Sequence, residues 1–230
     1  MKKHVTLFSS VLMMSTTLLG AGGVFADDIT PTPADKQTSV STVLSIDTSE
    51  KPTLPGGTTD GNDHDNNNTT GPFGIAYQPK SLSGSETLNA SGNQEIDLAN
   101  NSSVDNHVGV KDLTRQKHEW TLTAQLSWDG NNSSYMTGAT VKLAGGEVKK
   151  NNKGSLEELN DQEVTGQQTV NIQTSATAEV MKSVKNKTQN GVYDYKFTSA
   201  KLAIPNVENV PADTYSGNIN WNLALTPTMP

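Results

Sequence analysis

Apolar residues in this chain alternate with polar ones in short runs. The clearest run lies near the C-terminal end, where Tyr215, Ile219, Trp221, Leu223 and Leu225 share one parity while Ser216, Asn218, Asn220 and Asn222 fill the other. A second run repeats it about a hundred residues upstream: Trp120, Leu122, Ala124, Leu126 and Trp128 alternate with Thr121, Thr123, Gln125 and Ser127. A period of two is that of a half-buried β-strand. Shorter alternations at Ile96 and Leu98, at Val104, Val108 and Val110, at Ala139, Val141 and Leu143, and at Val170 and Ile172 predict further strands. Tyr193, Tyr195 and Phe197 share one parity but Leu202 and Ile204 lie on the other, so a bulge or tight turn is expected near residues 198–201.

Between these runs, Asp129-Gly-Asn-Asn-Ser-Ser134 reads as a turn and Gly145-Gly146 as a strand end. Residues 151–168 are polar and read as a long surface excursion. Residues 175–187 read as one short helix with Ala178, Met181 and Val184 inward. The folded part is expected to begin at Gly71-Pro-Phe-Gly-Ile-Ala-Tyr77. The fold class that follows is all-β: an antiparallel β-sandwich with at most one short helix, preceded by a signal peptide and a disordered linker.

Two N-terminal segments carry that last expectation. Met1-Lys-Lys-His4, the apolar stretch Val5 to Leu19 and the small-residue end Gly20 to Ala26 have the three parts of a secretory signal peptide, with cleavage expected after Ala26. The apolar stretch is interrupted by serine and threonine and is short for a bilayer span, and no second stretch of its length follows, so no membrane span of the protein's own is expected. Residues 27–70 are rich in Thr and Pro, then in Asp, Asn and Gly, and bury too little apolar surface to offset ordering, so a flexible tether is expected. That leaves 71–230 as the folded domain. Within the tether Leu54-Pro-Gly-Gly-Thr58 departs from a sortase signal in order and lacks an apolar tail, so covalent wall anchoring is not expected.

Composition agrees with export. The chain is 33% hydrophobic and only 18% charged, with polar uncharged residues making up the difference, and it has no cysteine. Disulfides, thiol nucleophiles and thiolate metal sites are thereby excluded together. Loss of the leader removes Lys2 and Lys3 and no acid, moving the formal charge from −7 to −9. An acidic protein is repelled at long range by nucleic acid, anionic lipid and teichoic acid, so no nucleic-acid partner is expected.

Two Trp-x-Leu strands, Trp120-Thr-Leu122 and Trp221-Asn-Leu223, the second introduced by Tyr215, carry a resemblance to a known family. Val108-Gly-Val-Lys-Asp112, Gly138-Ala-Thr-Val-Lys-Leu143 and Leu202-Ala-Ile-Pro205 fall around them in the same order. Over about residues 71–230 the sequence resembles the WxL-domain cell-surface proteins of low-GC Gram-positive bacteria. It departs from their pattern at the first motif, where His118-Glu119 replaces a glycine-rich lead. The resemblance implies a secreted, non-catalytic protein held non-covalently at the cell wall by binding peptidoglycan. It also implies membrane-anchored partner proteins and larger WxL proteins as associates, and it makes Trp120, Leu122, Tyr215, Trp221 and Leu223 the cell-wall-binding motif. An alternative of another class is a subunit of a surface complex or an adhesin that binds a partner or host protein by edge-strand addition.

The residues leave open whether the tryptophans build the core or offer ring faces to sugars, although their parity with leucine favours burial, with each indole N–H on a backbone carbonyl. Asn218, Asn220 and Asn222 form a row spaced by about 7 Å, suited to glycan hydroxyls and N-acetyl groups, or simply solvated. Local lysine clusters such as Lys149, Lys150 and Lys153 could meet an anionic wall, or form a solvated loop. Glu157, Glu158 and Asp161 are the conceivable carboxylates of a glycosidase, but no apolar context surrounds them. Asp60, Asp63, His64 and Asp65 lack the spacing of a calcium loop. His107 and His118 stand in no catalytic spacing. No enzyme activity, cofactor or metal is expected.

Overall fold

The computed structural model describes residues 36–47, 49 and 51–226. The expected signal peptide and residues 27–35 lie outside the described residues. The chain divides into a unit of residues 1–43, whose described part forms no strand, and a unit of residues 44–230 that carries every element below.

Fourteen strands and one short helix form the second unit: β1 (His64–Asn66), β2 (Phe73–Pro79), β3 (Gln94–Leu98), β4 (Asn106–Asp112), β5 (Trp120–Trp128), α1 (Asn132–Tyr135), β6 (Thr140–Ala144), β7 (Glu147–Asn152), β8 (Ser155–Glu157), β9 (Val164–Gly166), β10 (Thr169–Ile172), β11 (Ala178–Ser183), β12 (Gly191–Phe197), β13 (Ser199–Ile204) and β14 (Gly217–Leu225). All strand pairs between them are antiparallel. Three sheets result, in the orders β1-β2-β4-β12-β7-β8, β10-β6-β13-β3 and β14-β5-β11-β9. The antiparallel all-β class expected from the alternation therefore holds.

One core joins the three sheets. Val108, Val110, Tyr193, Tyr195 and Phe197 enter it from the first sheet, Val141, Leu143, Val170 and Ile172 from the second, and Trp120, Leu122, Ala124, Leu126, Val180 and Met181 from the third. Every residue of β4 is buried, because this strand is central in its sheet and covered on both faces. The phase change between Phe197 and Leu202 is explained by a change of sheet: β12 ends at Phe197 in the first sheet and β13 starts at Ser199 in the second. Thr198 forms the corner, its N–H donating to the Ala144 carbonyl at 3.1 Å.

Three expectations are corrected. Residues 175–187 contain no helix; β11 pairs there with β5 and β9, and the pairing register with β5 shifts between Glu179 and Met181. The bulge puts Val180 and Met181 inward in succession, which produces a helix-like spacing of apolar residues on a strand. The surface excursion expected over 151–168 instead holds the β7–β8 hairpin and β9, with Asn151, Glu163 and Val164 buried. The only helix described is α1, four residues inside the expected turn after β5.

The third correction concerns the tether. From Pro52 onward the segment expected to be flexible is part of the fold, and β1 pairs with β2. The Gly56 N–H donates to the Gly154 carbonyl at 2.8 Å, and the Asn151 side chain donates to the Thr53 carbonyl at 2.7 Å. Asp63 and His64 are buried. Polar composition misled here because the segment is held by hydrogen bonds to the body, with little apolar burial of its own.

Candidate functional site

The two Trp-x-Leu strands are neighbours. β14 pairs with β5 along its whole length, with Leu223 opposite Leu122, Trp221 opposite Ala124 and Leu225 opposite Trp120. Directly opposed residues share a face, so both leucines and both tryptophans lie on the core side of the sheet. The leucines meet two residues from Trp120 and two residues from Trp221. The tryptophans are displaced in opposite directions along the strands, by on the order of 13 Å from one another.

That displacement gives them different surroundings. Trp120 is 1% exposed and packs against Tyr193, with ring centroids 6.2 Å apart. Its indole N–H donates to Asp112 Oδ2 at 3.0 Å, a carboxylate where a backbone carbonyl was expected. His118 Nε2 lies 3.0 Å from the same oxygen, and Thr114 donates to the other through its N–H and its hydroxyl. His118, in the place of the glycine-rich lead, thus joins the end of β4 to the start of β5. Leu122 is fully buried. Trp120 and Leu122 can act on a ligand only by building the strand that presents it.

Trp221, Leu223 and Tyr215 are half-buried. Trp221 and Tyr215 line an open groove of about 950 Å³ between the β14–β5 edge and the second sheet, together with Trp128, Ile219, Leu82 and Leu88. Ser81, Ser83, Ser85, Thr87, Thr214 and Ser216 bring hydroxyls to the same groove. The Tyr215 hydroxyl donates to the Pro211 carbonyl at 2.8 Å, and its ring meets Tyr135 edge-on with centroids 6.3 Å apart. Burial, Asp213 and Tyr135 raise its hydroxyl above the ordinary tyrosine pKa. The Trp128 indole N–H is buried and has no hydrogen-bond partner among the described residues.

The asparagine row lies on the opposite face of β14, and Asn218, near the start of the strand, also borders the groove. Asn218 donates to Asp129 Oδ1 at 3.2 Å, and Asn220 to Ser127 Oγ at 2.9 Å and the Gln125 carbonyl at 3.3 Å. Two of its three amides therefore already have protein acceptors. Asn222 is exposed, beside Thr123 of the neighbouring strand.

The remaining candidates fall elsewhere. Lys149 is paired with Glu147 at 3.2 Å and Glu158 at 3.0 Å, and these carboxylates raise its pKa. Glu157 accepts from Asn152 at 2.8 Å. With Lys150, Lys153 and Asp161, Glu157 and Glu158 border a separate polar cleft of about 530 Å³. Asp60 accepts the Asn66 N–H at 2.8 Å.

A buried polar chain escaped sequence reasoning. The His107 N–H donates to His64 Nε2 at 2.9 Å, which fixes the His64 proton on Nδ1, 2.7 Å from Asp63 Oδ1. His107 Nδ1 meets Asp194 Oδ2 at 2.9 Å, the Tyr77 hydroxyl donates to Asp194 Oδ1 at 2.9 Å, and Asn151 donates to the Tyr77 oxygen at 2.9 Å. Burial lowers the His64 pKa and raises that of Tyr77 well above its ordinary value. These groups come from five separate segments, and no spacing announces them.

The groove also escaped, since its outer wall consists of polar loop residues 79–88 and 210–216 without periodicity. Trp128 carried the one usable signal, as a third tryptophan on the parity of Trp120.

No curated protein and no solved structure matches the chain. A model of the family described as WxL domain, surface cell wall-binding, matches residues 31–227, most of the sequence. Opposed Trp-x-Leu strands and a match of that extent lead to one conclusion: the chain belongs to the WxL-domain family of surface cell-wall-binding proteins and is a protein of the cell surface.

Proposed function

We propose that the protein attaches to the wall non-covalently and without catalysis, by binding peptidoglycan in the groove flanked by Trp128, Tyr215 and Trp221. The observation that carries this reading is the division of labour between the two motifs. One tryptophan is sealed in the core, and its counterpart borders an open groove with a second indole and a tyrosine. Aromatic faces suit sugar rings, and surrounding hydroxyls suit their hydroxyl and N-acetyl groups. β14 carries no charged residue, in keeping with a neutral glycan. The non-catalytic reading is supported by the position of Glu157 and Glu158, which are engaged by Asn152 and Lys149 and do not line the groove, while the two carboxylates that do line it, Glu86 and Asp213, are exposed on its loop wall.

Co-sedimentation with sacculi stripped of protein and teichoic acid tests this reading. The purified chain should pellet with them, and Trp221→Ala should stay in the supernatant while melting cooperatively. Failure of the unaltered chain to pellet, or undiminished pelleting of the variant, overturns it. A second reading, attachment through membrane-anchored or larger WxL partner proteins, is favoured by the outer edge of β14, with which no described strand pairs, and predicts pelleting only when such a partner is added.

A further inference from the structure

Two features of this molecule remain unsatisfied in a single chain, and they are complementary. The first is the outer edge of β14. It is nine residues long, and among the described residues no strand pairs with it. The other edge strands, β1, β3, β8, β9 and β10, are three to five residues long. Short length, charge, proline and bulges are the usual protections of a sheet edge. β14 has none of them: its sequence is Gly-Asn-Ile-Asn-Trp-Asn-Leu-Ala-Leu, its register with β5 is unbroken, and Leu225 is 54% exposed.

The second feature is the segment Lys36-Gln-Thr-Ser-Val-Ser-Thr-Val-Leu-Ser-Ile-Asp47. Thr38, Val40, Thr42, Leu44 and Ile46 share one parity, with Ser39, Ser41, Val43 and Ser45 on the other. β-Branched residues dominate, so the segment has the period and the propensity of a strand. It forms none, and Val40, Val43 and Leu44 are 91%, 95% and 88% exposed. Three large apolar side chains left in water within five residues mark a surface meant to be covered.

We infer that residues 38–46 of one copy add as a strand to the outer edge of β14 in a second copy. Main-chain hydrogen bonds supply the affinity, and the apolar parity of the donor continues the core-side face formed by Ile219, Trp221, Leu223 and Leu225. The added strand lengthens the groove wall beyond β14. Each chain carries one donor and one acceptor, so reciprocal exchange closes a two-fold dimer that leaves neither unpaired. This pairing does not depend on glycan binding.

The test is the mass of the full chain, in the form the cell exports, by size-exclusion chromatography with light scattering, compared with V40D/L44D. Both positions are exposed in the single chain, so the variant should still unfold cooperatively and still pellet with sacculi. The parent should show twice the mass of one chain and the variant the mass of one. Hydrogen exchange should find the amides within 217–225 that do not bond to β5 slow in the parent, fast in the variant, and slow again when a synthetic peptide of residues 36–47 is added. A parent of single-chain mass, a variant that keeps the doubled mass, or peptide protection at any other edge overturns the inference.

Discussion

The Asp112 carboxylate accepts the indole N–H of Trp120 at 3.0 Å, and neither side chain reaches solvent. Asp112 closes the Val108–Asp112 stretch and Trp120 opens the first Trp-x-Leu motif, so two separate signatures of the sequence are halves of one interaction. His118 and Thr114 complete the ring of donors around the same carboxylate. The first motif is thus a device that locks β5 onto β4, and β14 is presented by pairing with β5.

Replacing Asp112 with Ala should lower the stability of the fold by about 3 kcal/mol or more, because the indole, imidazole and Thr114 donors all lose a charged acceptor. Trp120→Phe removes one donor and should cost about 1–2 kcal/mol. Denaturant unfolding of both variants and their combination checks this. The double variant should lose less than the sum, and strict additivity would refute the coupling.

Acid should loosen the N-terminal strap at residues 52–66. Burial holds His64 below its ordinary pKa, so the fold favours the neutral ring, whose Nε2 accepts from His107. Its contribution is fully present above the unfolded value of about 6.5 and is lost as pH falls from there towards the folded value. For Asp63, burial opposes the charge, but hydrogen bonds from His64 and the Thr59 N–H outweigh it and lower the pKa. Its contribution is present above the unfolded value of about 3.9 and is lost as pH falls through the lower folded value. The melting temperature should therefore drop between pH 7 and pH 5 and again below pH 4. His64→Gln should remove the first drop and, by taking away a hydrogen bond that holds Asp63 down, weaken the second; an unchanged profile in that variant would exclude His64 as the source of the first.

Much of this fold could be read from alternation, because a strand with one buried face writes its period into the sequence. β5 and β14 are the clearest cases, and the face each turns to the core follows from that pattern, whereas their register, with Leu122 opposite Leu223, does not. Where the period failed, a specific event intervened. The bulge at Val180 disguised β11 as a helix, and the corner at Thr198 moved the chain between sheets. β1 was hidden because three residues among aspartates and asparagines carry no period, and its anchor is a histidine whose partner lies 43 residues away. The tryptophans were alike in sequence and differ in surroundings because antiparallel pairing puts Trp120 at one end of the shared stretch, opposite Leu225, and Trp221 at its middle, opposite Ala124.

Gly109 should tolerate no side chain. A Cβ there would lie 2.4 Å from Tyr77 Cζ and 2.6 Å from Cε1, and the ring cannot retreat because its hydroxyl is held by Asp194 and Asn151. Gly109→Ala should cost about 3 kcal/mol, at the upper end for overpacking a core. Chemical denaturation would show it, and a loss below about 1 kcal/mol would mean that Tyr77 moves freely.

The two motif tryptophans should separate stability from binding. Trp120→Ala empties a sealed site and should cost on the order of 3 to 5 kcal/mol. Trp221 is half-buried at an open groove, so Trp221→Ala should cost clearly less, with the larger effect on wall association. Measuring both variants by thermal unfolding and by sacculus co-sedimentation, at a temperature where each is folded, gives the comparison. Folded Trp120→Ala should still pellet in part, since Trp221, Tyr215 and Trp128 remain at the groove. If instead folded Trp120→Ala loses all binding while Trp221→Ala keeps it, the groove is not the binding surface, and the asparagine face of β14 becomes the place to look.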